Sequence, residues 1–351
     1  MASPRVSIVI LNWKGWKDTV ECLESLYQID YDNYEVIVLD NGSPDDSVER
    51  IREYCAGRMC VKSRFFRYNP DNKPIQIIDV CWEELKTETV AGEETRSLNL
   101  ASNRKLRLIL SDRNLGFAGG CNICMRYALE YLNSVYVLLL NNDTVVSKDF
   151  LTQLVRVSQS GERIGIVGPK IYFYERDGRN DVINYAGGTY DMKRGRLELV
   201  GYNEVDKGQY NEQKEGYDLV SGCCMLIKAD IIRKMGFLDP VYFMYGEDLD
   251  YCKRVSMAHY RLIYVPSSVI WHKSSRSYTP SISAFYFGRN GFIFVKKYAK
   301  RRQFSYFVAY QLIYWGWISA TSFLVPHRNL KGFAYYVRGT LNGIIMVLSL
   351  S

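Results

Sequence analysis

The chain has 351 residues, 47% hydrophobic and 24% charged, which is ordinary for a globular protein with a real core. Its net charge of +7 suits phosphate-bearing substrates or an anionic membrane face, and equally a well-solvated basic surface. Nine cysteines without a repeated spacing exclude a disulfide-stapled scaffold.

Val6–Leu11 reads as a buried parallel strand, because it is a short apolar run rich in β-branched residues. No signal-peptide pattern precedes it, and with unpaired cysteines this points to the cytoplasm. Trp16, Val20, Leu23 and Leu26 recur at helical spacing. Val36–Leu39 is a second buried strand, and Asp45 and Ser47 mark a helix entry. Strand, helix and strand joined by short turns form a βαβ unit.

Residues 57–104 break the rhythm with mixed charge and little periodicity, and read as an insertion, ordered in part around Ile75–Trp82. Leu106–Leu110 resumes the sheet. Gly116, Gly119 and Gly120 open a helix running to about Tyr131. Cys121 and Cys124 within it lack a second C-x-x-C or a nearby histidine, and read as small apolar residues at a helix start. Val135–Leu140 is the most apolar strand. A helix follows from Lys148, then a strand at Ile164–Val167. Tyr185–Tyr190 and Leu197–Tyr202 suggest a hairpin around Lys193–Gly195. Leu219–Ile227 is an apolar stretch broken by Gly222. A helix runs from Gly246-Glu247-Asp248 to about His259, with short strands at Leu262–Val265 and Val269–Trp271 and a helix at Ser281–Tyr298.

The tail differs from the rest. Phe304–Val325 carries no charge but is rich in Tyr and Trp, and Arg301-Arg302 precede it. A second apolar stretch, Gly339–Leu350, ends the chain. Three readings stay open: interfacial helices, a membrane span, or a buried core helix.

Open parallel sheets bind ligands beyond the carboxyl ends of their strands. Asn12, Asp40-Asn41 and Asn141-Asn142-Asp143 stand at three such ends. A carboxylate ending a strand as apolar as Val135–Leu140 is costly to desolvate unless something cationic meets it. A divalent ion bridging diphosphate oxygens would do so; the alternative is a helix N-cap. Asp112-Arg113-Asn114-Leu115-Gly116-Phe117-Ala118-Gly119-Gly120 is a glycine-rich turn into a helix, whose free amides would favour an anion, or which is only turn geometry. It is neither a Walker loop nor G-x-G-x-x-G. Glu247 and Asp248 are adjacent acids, of which one can hold a proton and serve as base; the alternative is an acid-enriched helix start. His272 ends a strand and could complete a metal site begun by a carboxylate.

Taken in order, these pieces resemble the inverting glycosyltransferases of family 2 with the GT-A fold, in the rhamnosyltransferase-like branch. The matching segments are 6–13 (Val-Ser-Ile-Val-Ile-Leu-Asn-Trp), 36–43 (Val-Ile-Val-Leu-Asp-Asn-Gly-Ser), 114–120 (Asn-Leu-Gly-Phe-Ala-Gly-Gly) and 138–144 (Leu-Leu-Leu-Asn-Asn-Asp-Thr). Val-Gly-Pro-Lys at 167–170, Ser-Gly-Cys-Cys-Met-Leu-Ile at 221–227, Phe-Met-Tyr-Gly-Glu-Asp-Leu-Asp at 243–250, Tyr-Val-Pro at 264–266 and Trp-His-Lys at 271–273 continue it.

The resemblance implies an α/β fold, a Rossmann-like GT-A sheet with flanking helices, assigned to residues 1–300 with 57–104 as an insertion; the apolar stretches read above add a helical, membrane-associating tail over 301–351. It implies transfer of rhamnose or a similar hexose, with inversion, from a dTDP- or UDP-linked donor to a saccharide or lipid-linked glycan acceptor, as in polysaccharide biosynthesis. The nucleotide-sugar would be held by Asn12, Asp40, Asn41, Asp112, Arg113, Asn114, Gly119 and Asn142. A divalent metal, Mg or Mn, would be held by Asp143 and His272, with Asn141 at the first position of the family's D-x-D motif, where an acid is usual. Asp248 would be the general base, with Glu247 supporting it or sharing the role. The expected partners are the donor, the acceptor and the inner face of the cell membrane, reached peripherally or through an anchor, and no nucleic acid. Two rivals remain: an inactive nucleotide-sugar-binding scaffold of the same fold, and a nucleotidyltransferase, which would need a triphosphate-binding loop that Val6–Gly15 does not offer.

Overall fold

The computed structural model describes residues 3–81, 100–274, 280–315, 318 and 330–349. Strands β1 (Val6–Asn12) and β2 (Tyr34–Asp40) are almost wholly buried, as parallel strands covered by helices on both faces must be. Between them α1 (Trp16–Leu26) buries Val20, Leu23 and Leu26, the residues at helical spacing. Then come α2 (Ser47–Cys55), β3 (Gln76–Val80), β4 (Lys105–Leu110), α3 (Gly116–Glu130) and β5 (Tyr136–Asn141). β1 pairs in parallel with both β2 and β5, β2 pairs with β4, and β4 with β3, which forms one edge of the sheet.

Residues 57–81 pack on this body. Besides β3, Lys73 Nζ reaches the buried Glu24 of α1 at 2.8 Å, where the Tyr54 hydroxyl also donates. Residues 82–99, including Trp82, lie outside the described residues. Beneath β2 and β4, Glu35 accepts from Lys105 at 2.6 Å and from Arg107 at 3.1 Å, and Arg107 also donates to the Tyr127 hydroxyl. Removing one member of such a buried set costs roughly 3–5 kcal/mol, because the others lose their counter-charge.

The second half is laid out as β6 (Thr144–Val146), α4 (Phe150–Gln159), β7 (Ile164–Phe173), β8 (Ile183–Tyr185), the antiparallel pair β9 (Gly188–Asp191) and β10 (Arg196–Leu199), β11 (Lys214–Glu215), β12 (Cys224–Lys228), α5 (Ala229–Met235), α6 (Glu247–Met257) and β13 (Arg261–His272). β12 is antiparallel to β5 and β7, while β13 runs parallel to β7, so the main sheet reads β11-β13-β7-β12-β5-β1-β2-β4-β3.

Two strands exceed the sequence expectation. β7 continues past Gly168-Pro169 to Phe173, because the buried Lys170 is neutralised by Asp206 at 2.7 Å and bonded to Asn211. The two short strands expected at 262–271 are one, β13, whose register slips between Val265 and Val269. Pro266, which has no amide to donate, sits at that slip.

Helices α7 (Pro280–Tyr298), α8 (Arg301–Tyr310) and α9 (Leu330–Ser349) complete the chain. Phe307 of α8 is buried against Phe292 of α7. Gly339 and Gly343 of α9 let its backbone meet that of α7 at Phe285 and Arg289. Among the described residues no helix is long and apolar enough to cross a membrane. Of the apolar stretch 304–325, residues 316–317 and 319–325 lie outside the described residues, as does Leu350.

Candidate active site

Register brings the polar strand ends together. Asn12 lies opposite Asp40, and Leu11 opposite Asn141. One hydrogen-bonded chain crosses them: Asn142 Nδ2 donates to Thr19 Oγ1 at 3.0 Å, Thr19 Oγ1 to Asn12 Oδ1 at 2.8 Å, and Asn12 Nδ2 to Asp40 Oδ2 at 2.7 Å. Asp40 Oδ1 accepts from the Ser43 amide at 2.9 Å. Thr19 and Ser43 were not singled out from the sequence; their roles appear only when the loops after β1 and β2 are folded.

Asn41 is a junction. Its Oδ1 accepts from the Leu115 amide at 2.9 Å, and its Nδ2 donates to Asn114 Oδ1 and to the Gly116 carbonyl. Asn114 Oδ1 in turn accepts from the Gly116 amide. The amides of Phe117 and Ala118 both donate to the Phe243 carbonyl, at 2.7 and 3.2 Å. Of the two readings of this turn, the anion site and turn geometry, the hydrogen bonds favour turn geometry, because the amides of Leu115, Gly116, Phe117 and Ala118 are taken up inside the fold. Gly116, with φ of +73°, permits the contact, since a Cβ there would lie 2.5 Å from the Phe243 oxygen. Asp112 and Arg113 are exposed at the rim, and Gly119 is half-buried one turn into α3.

On the other side of β5, Asp143 is buried with its Oδ1 3.1 Å from His272 Nε2. The Asp143 carbonyl accepts from the Lys273 amide, and the Lys273 ammonium pairs with Asp18 and Glu21 of α1. Burial works against a charged imidazole at His272, but the facing Asp143 carboxylate and Cys223 thiol outweigh it and hold its pKa well above the ordinary histidine value. Thr144 donates to the Asn141 carbonyl, and the Asn141 amide donates to Cys223 O, so the backbone at 141 is committed; its side chain is half-buried at the strand end.

The turn at 221–223 links this pair to α6. Asp248 Oδ2 accepts from the Gly222 amide at 3.0 Å, and its Oδ1 from the Leu249 amide at 2.8 Å. Cys223, raised by burial, senses the charges of His272, Asp143 and Asp248 together, so both acids lie near the turn at 221–223. Glu247 is buried too, but its Oε2 has no hydrogen-bond partner. Burial, then the neighbouring Asp248, push its pKa to about 8. Asp248 is also raised by burial, with the amides of Gly222 and Leu249 pulling it back. Burial thus raises both carboxyls, and only at Asp248 do two backbone amides oppose it. Asp250, in the same helix turn, is a fold anchor, accepting from Arg254, Lys297 and the Tyr298 hydroxyl.

The 3.1 Å between Asp143 Oδ1 and His272 Nε2 is a direct hydrogen-bonding distance, and a carboxylate and an imidazole are both groups that ligate divalent metals. Among the described residues no cluster of three acidic, cysteine or histidine groups could hold a metal. Hard cations such as Mg are commonly held by one or two protein groups together with substrate phosphates. The residues present fit that mode. Elsewhere, a surface depression lined by Ser134, Lys228 and Arg233 contains none of the acids described above.

An open α/β sheet with polar and acidic side chains gathered at its parallel strand ends places a ligand site at that edge, and so defines the class of enzyme-like α/β protein to which this chain belongs. Family models place it more narrowly: a "Glycosyl transferase family 2" model matches residues 7–71, and a "Glycosyltransferase like family 2" model residues 74–290. The chain belongs to glycosyltransferase family 2. It is 29% identical over 153 residues to the low-salt glycan biosynthesis hexosyltransferase Agl10 of Haloferax volcanii, covering 44% of this chain and 47% of that protein. It is 25% identical over 191 residues to the N-acetylglucosaminyl-diphospho-decaprenol L-rhamnosyltransferase of Mycobacterium tuberculosis, covering 49% and 60%, and 28% identical over 159 residues to the rhamnosyltransferase WbbL of Escherichia coli, covering 43% and 58%. The chain thus spans about half the length of the curated relatives it matches. In fold it is similar to the mannosyltransferase PcManGT from Pyrobaculum calidifontis, solved with GDP-Man and Mn2+, at a TM-score of 0.55 and 14% identity, covering 98% of this chain and 88% of that one. It is also similar to GalNAc-T7, solved with UDP, GalNAc and Mn2+, at a TM-score of 0.54 and 17% identity, covering 98% and 57%.

Proposed function

We propose that the protein transfers rhamnose or a similar hexose, with inversion, from a dTDP- or UDP-linked donor to a saccharide or lipid-linked glycan acceptor. The observation that carries this reading is the buried Asp143–His272 pair, linked through the turn at 221–223 to Asp248, whose carboxylate is held by two backbone amides.

Asn12, Asp40, Asn41, Asn114, Gly119 and Asn142 shape the donor pocket, with Asp112 and Arg113 at its exposed rim. Asp143 and His272, with Asn141 beside them, would hold a divalent Mg or Mn ion, which would supply the charge that offsets the diphosphate leaving group. Asp248 takes the proton from the attacking acceptor hydroxyl. Its carboxylate is held by the two amides of Gly222 and Leu249, so it stays ionised and oriented. Glu247 stays neutral at its side, which spares Asp248 a second negative charge. One base suffices for a single displacement, which inverts the anomeric centre.

Residues 1–300 act as the catalytic domain, with 57–104 as an insertion in it, and 301–351 as a docking tail for the inner face of the cell membrane. Leu330, Val337, Leu341, Ile345 and Leu348 are all exposed on α9, spaced as one helical stripe, with Lys331 and Arg338 as the helix's charged side chains. Such a stripe with basic flanks suits an anionic lipid surface.

The test is incubation with a panel of dTDP- and UDP-sugars and Mn2+, reading release of nucleoside diphosphate. Release from at least one donor supports the proposal; none from any donor by the folded protein refutes it.

A further inference from the structure

Three of the four residues just before the acid pair have left-handed backbone: Phe243 at φ +62°, Tyr245 at +65° and Gly246 at +103°. Two of them carry aromatic side chains, for which this region is unfavourable. The strained loop is held from outside. Asn290 of α7 donates to the carbonyls of Tyr242, Met244 and Tyr245, and Arg289 to those of Val241 and Tyr242. What this arrangement secures is the direction of a ring. Tyr245 lies stacked on Phe287 of α7, with centroids 4.5 Å apart and planes 17° apart, yet 37% of Tyr245 and 60% of Phe287 remain exposed. At the edge of the stack the Tyr245 hydroxyl shares a hydrogen bond of 3.1 Å with Ser283.

A strained loop that turns an aromatic pair toward water is a site awaiting an occupant. Tyr245 is three residues from Asp248, within ~10 Å along the chain. The shelf therefore adjoins the loop that leads into the acid pair. Phe287, the more exposed ring, offers an electron-rich outer face backed by Tyr245, and the rim offers two hydroxyls. A pyranose matches both, presenting polarised C–H groups on a face and hydroxyls around its edge. A lipid chain would use only the rings.

We infer that Tyr245 and Phe287 form a shelf that receives the C–H face of the acceptor's pyranose ring, placing a hydroxyl of that ring near Asp248. This rests on the glycosyltransferase reading, but the binding can be measured apart from catalysis. The experiment is saturation-transfer NMR on the full chain with the methyl glycosides of glucose, galactose, mannose and N-acetylglucosamine, and with octyl glucoside, each with and without UDP and Mn2+. Saturation should reach the ring C–H protons of at least one methyl glycoside. Apparent affinity should fall at least tenfold in Tyr245→Ala and in Phe287→Ala, and return in Tyr245→Phe and Phe287→Tyr, which keep the rings. Saturation confined to the octyl chain, absence of saturation from every methyl glycoside, or equal saturation in wild type and the alanine variants would each overturn the inference. Ring saturation in a protein that releases no nucleotide from any donor would leave the shelf standing and sink the transferase reading.

Discussion

Asp143 Oδ1 and His272 Nε2 meet at 3.1 Å where the turn from β5 into β6 comes alongside the end of β13. His272 is opposite Thr144 in the β13–β6 ladder, and the Lys273 amide bonds the Asp143 carbonyl, so both side chain and backbone fix the pair. If this pair grips a divalent ion, Asp143→Asn and His272→Ala should each weaken Mn2+ binding by at least the ~10–100-fold that loss of an outer partner already costs. The same titration should depend on pH. The imidazole must lose its proton to ligate, and its pKa is raised above the ordinary 6.5, so affinity should climb as pH rises through a range above 6.5. Mn2+ titration followed by electron paramagnetic resonance checks both.

Glu247 makes a separate, structural prediction. Its carboxyl shifts from 4.5 to about 8 on folding. The folded state then binds this proton more tightly than the unfolded chain, so its contribution is complete below pH 4.5 and is lost as pH rises through about 8. Glu247→Gln removes the titration. Relative to wild type, the variant should gain melting temperature steadily from pH 5 to pH 9. A difference that stays constant across that range would show that the carboxyl is not held neutral.

The turn into α3 should respond to a single methyl group. In Gly116→Ala the new Cβ meets the Phe243 carbonyl and must also adopt positive φ. The cost should exceed ~1 kcal/mol in urea unfolding. Asn41→Ala strips three hydrogen bonds from the same junction and should cost a further ~1–3 kcal/mol.

Much of this was legible beforehand, and the reason is local. Val6–Leu11, Val36–Leu39 and Val135–Leu140 carry their own burial signal in unbroken apolar runs, and the polar residues at their ends announce a ligand edge. What was hidden is tertiary. Nothing near Gly116 indicates that the Phe243 carbonyl will take the amides of Phe117 and Ala118. Lys170 looks like a strand stop until Asp206 arrives to neutralise it, and Pro266 looks like a break when it is only a register slip. Adjacent acids at 247 and 248 look alike in sequence; amides from Gly222 and Leu249 reach one and not the other.

Membrane docking is best tested without truncation, because Phe307 and Val347 are buried in the core that a deletion would open. Leu341→Glu, Ile345→Glu and Leu348→Glu change only exposed positions of α9. Together they should reduce co-sedimentation with anionic phospholipid vesicles by at least ~10-fold. Unchanged recovery would exclude this face as the docking surface.

The division of labour between the acids is tested most directly by Asp248→Asn, with donor binding measured by calorimetry and transfer measured on the same sample. Donor affinity in the presence of Mn2+ should match wild type while transfer falls by ~10²–10⁴-fold, the usual contribution of a general base. Undiminished transfer, or donor affinity that collapses along with it, would contradict the assignment of Asp248 as the group that accepts the acceptor's proton.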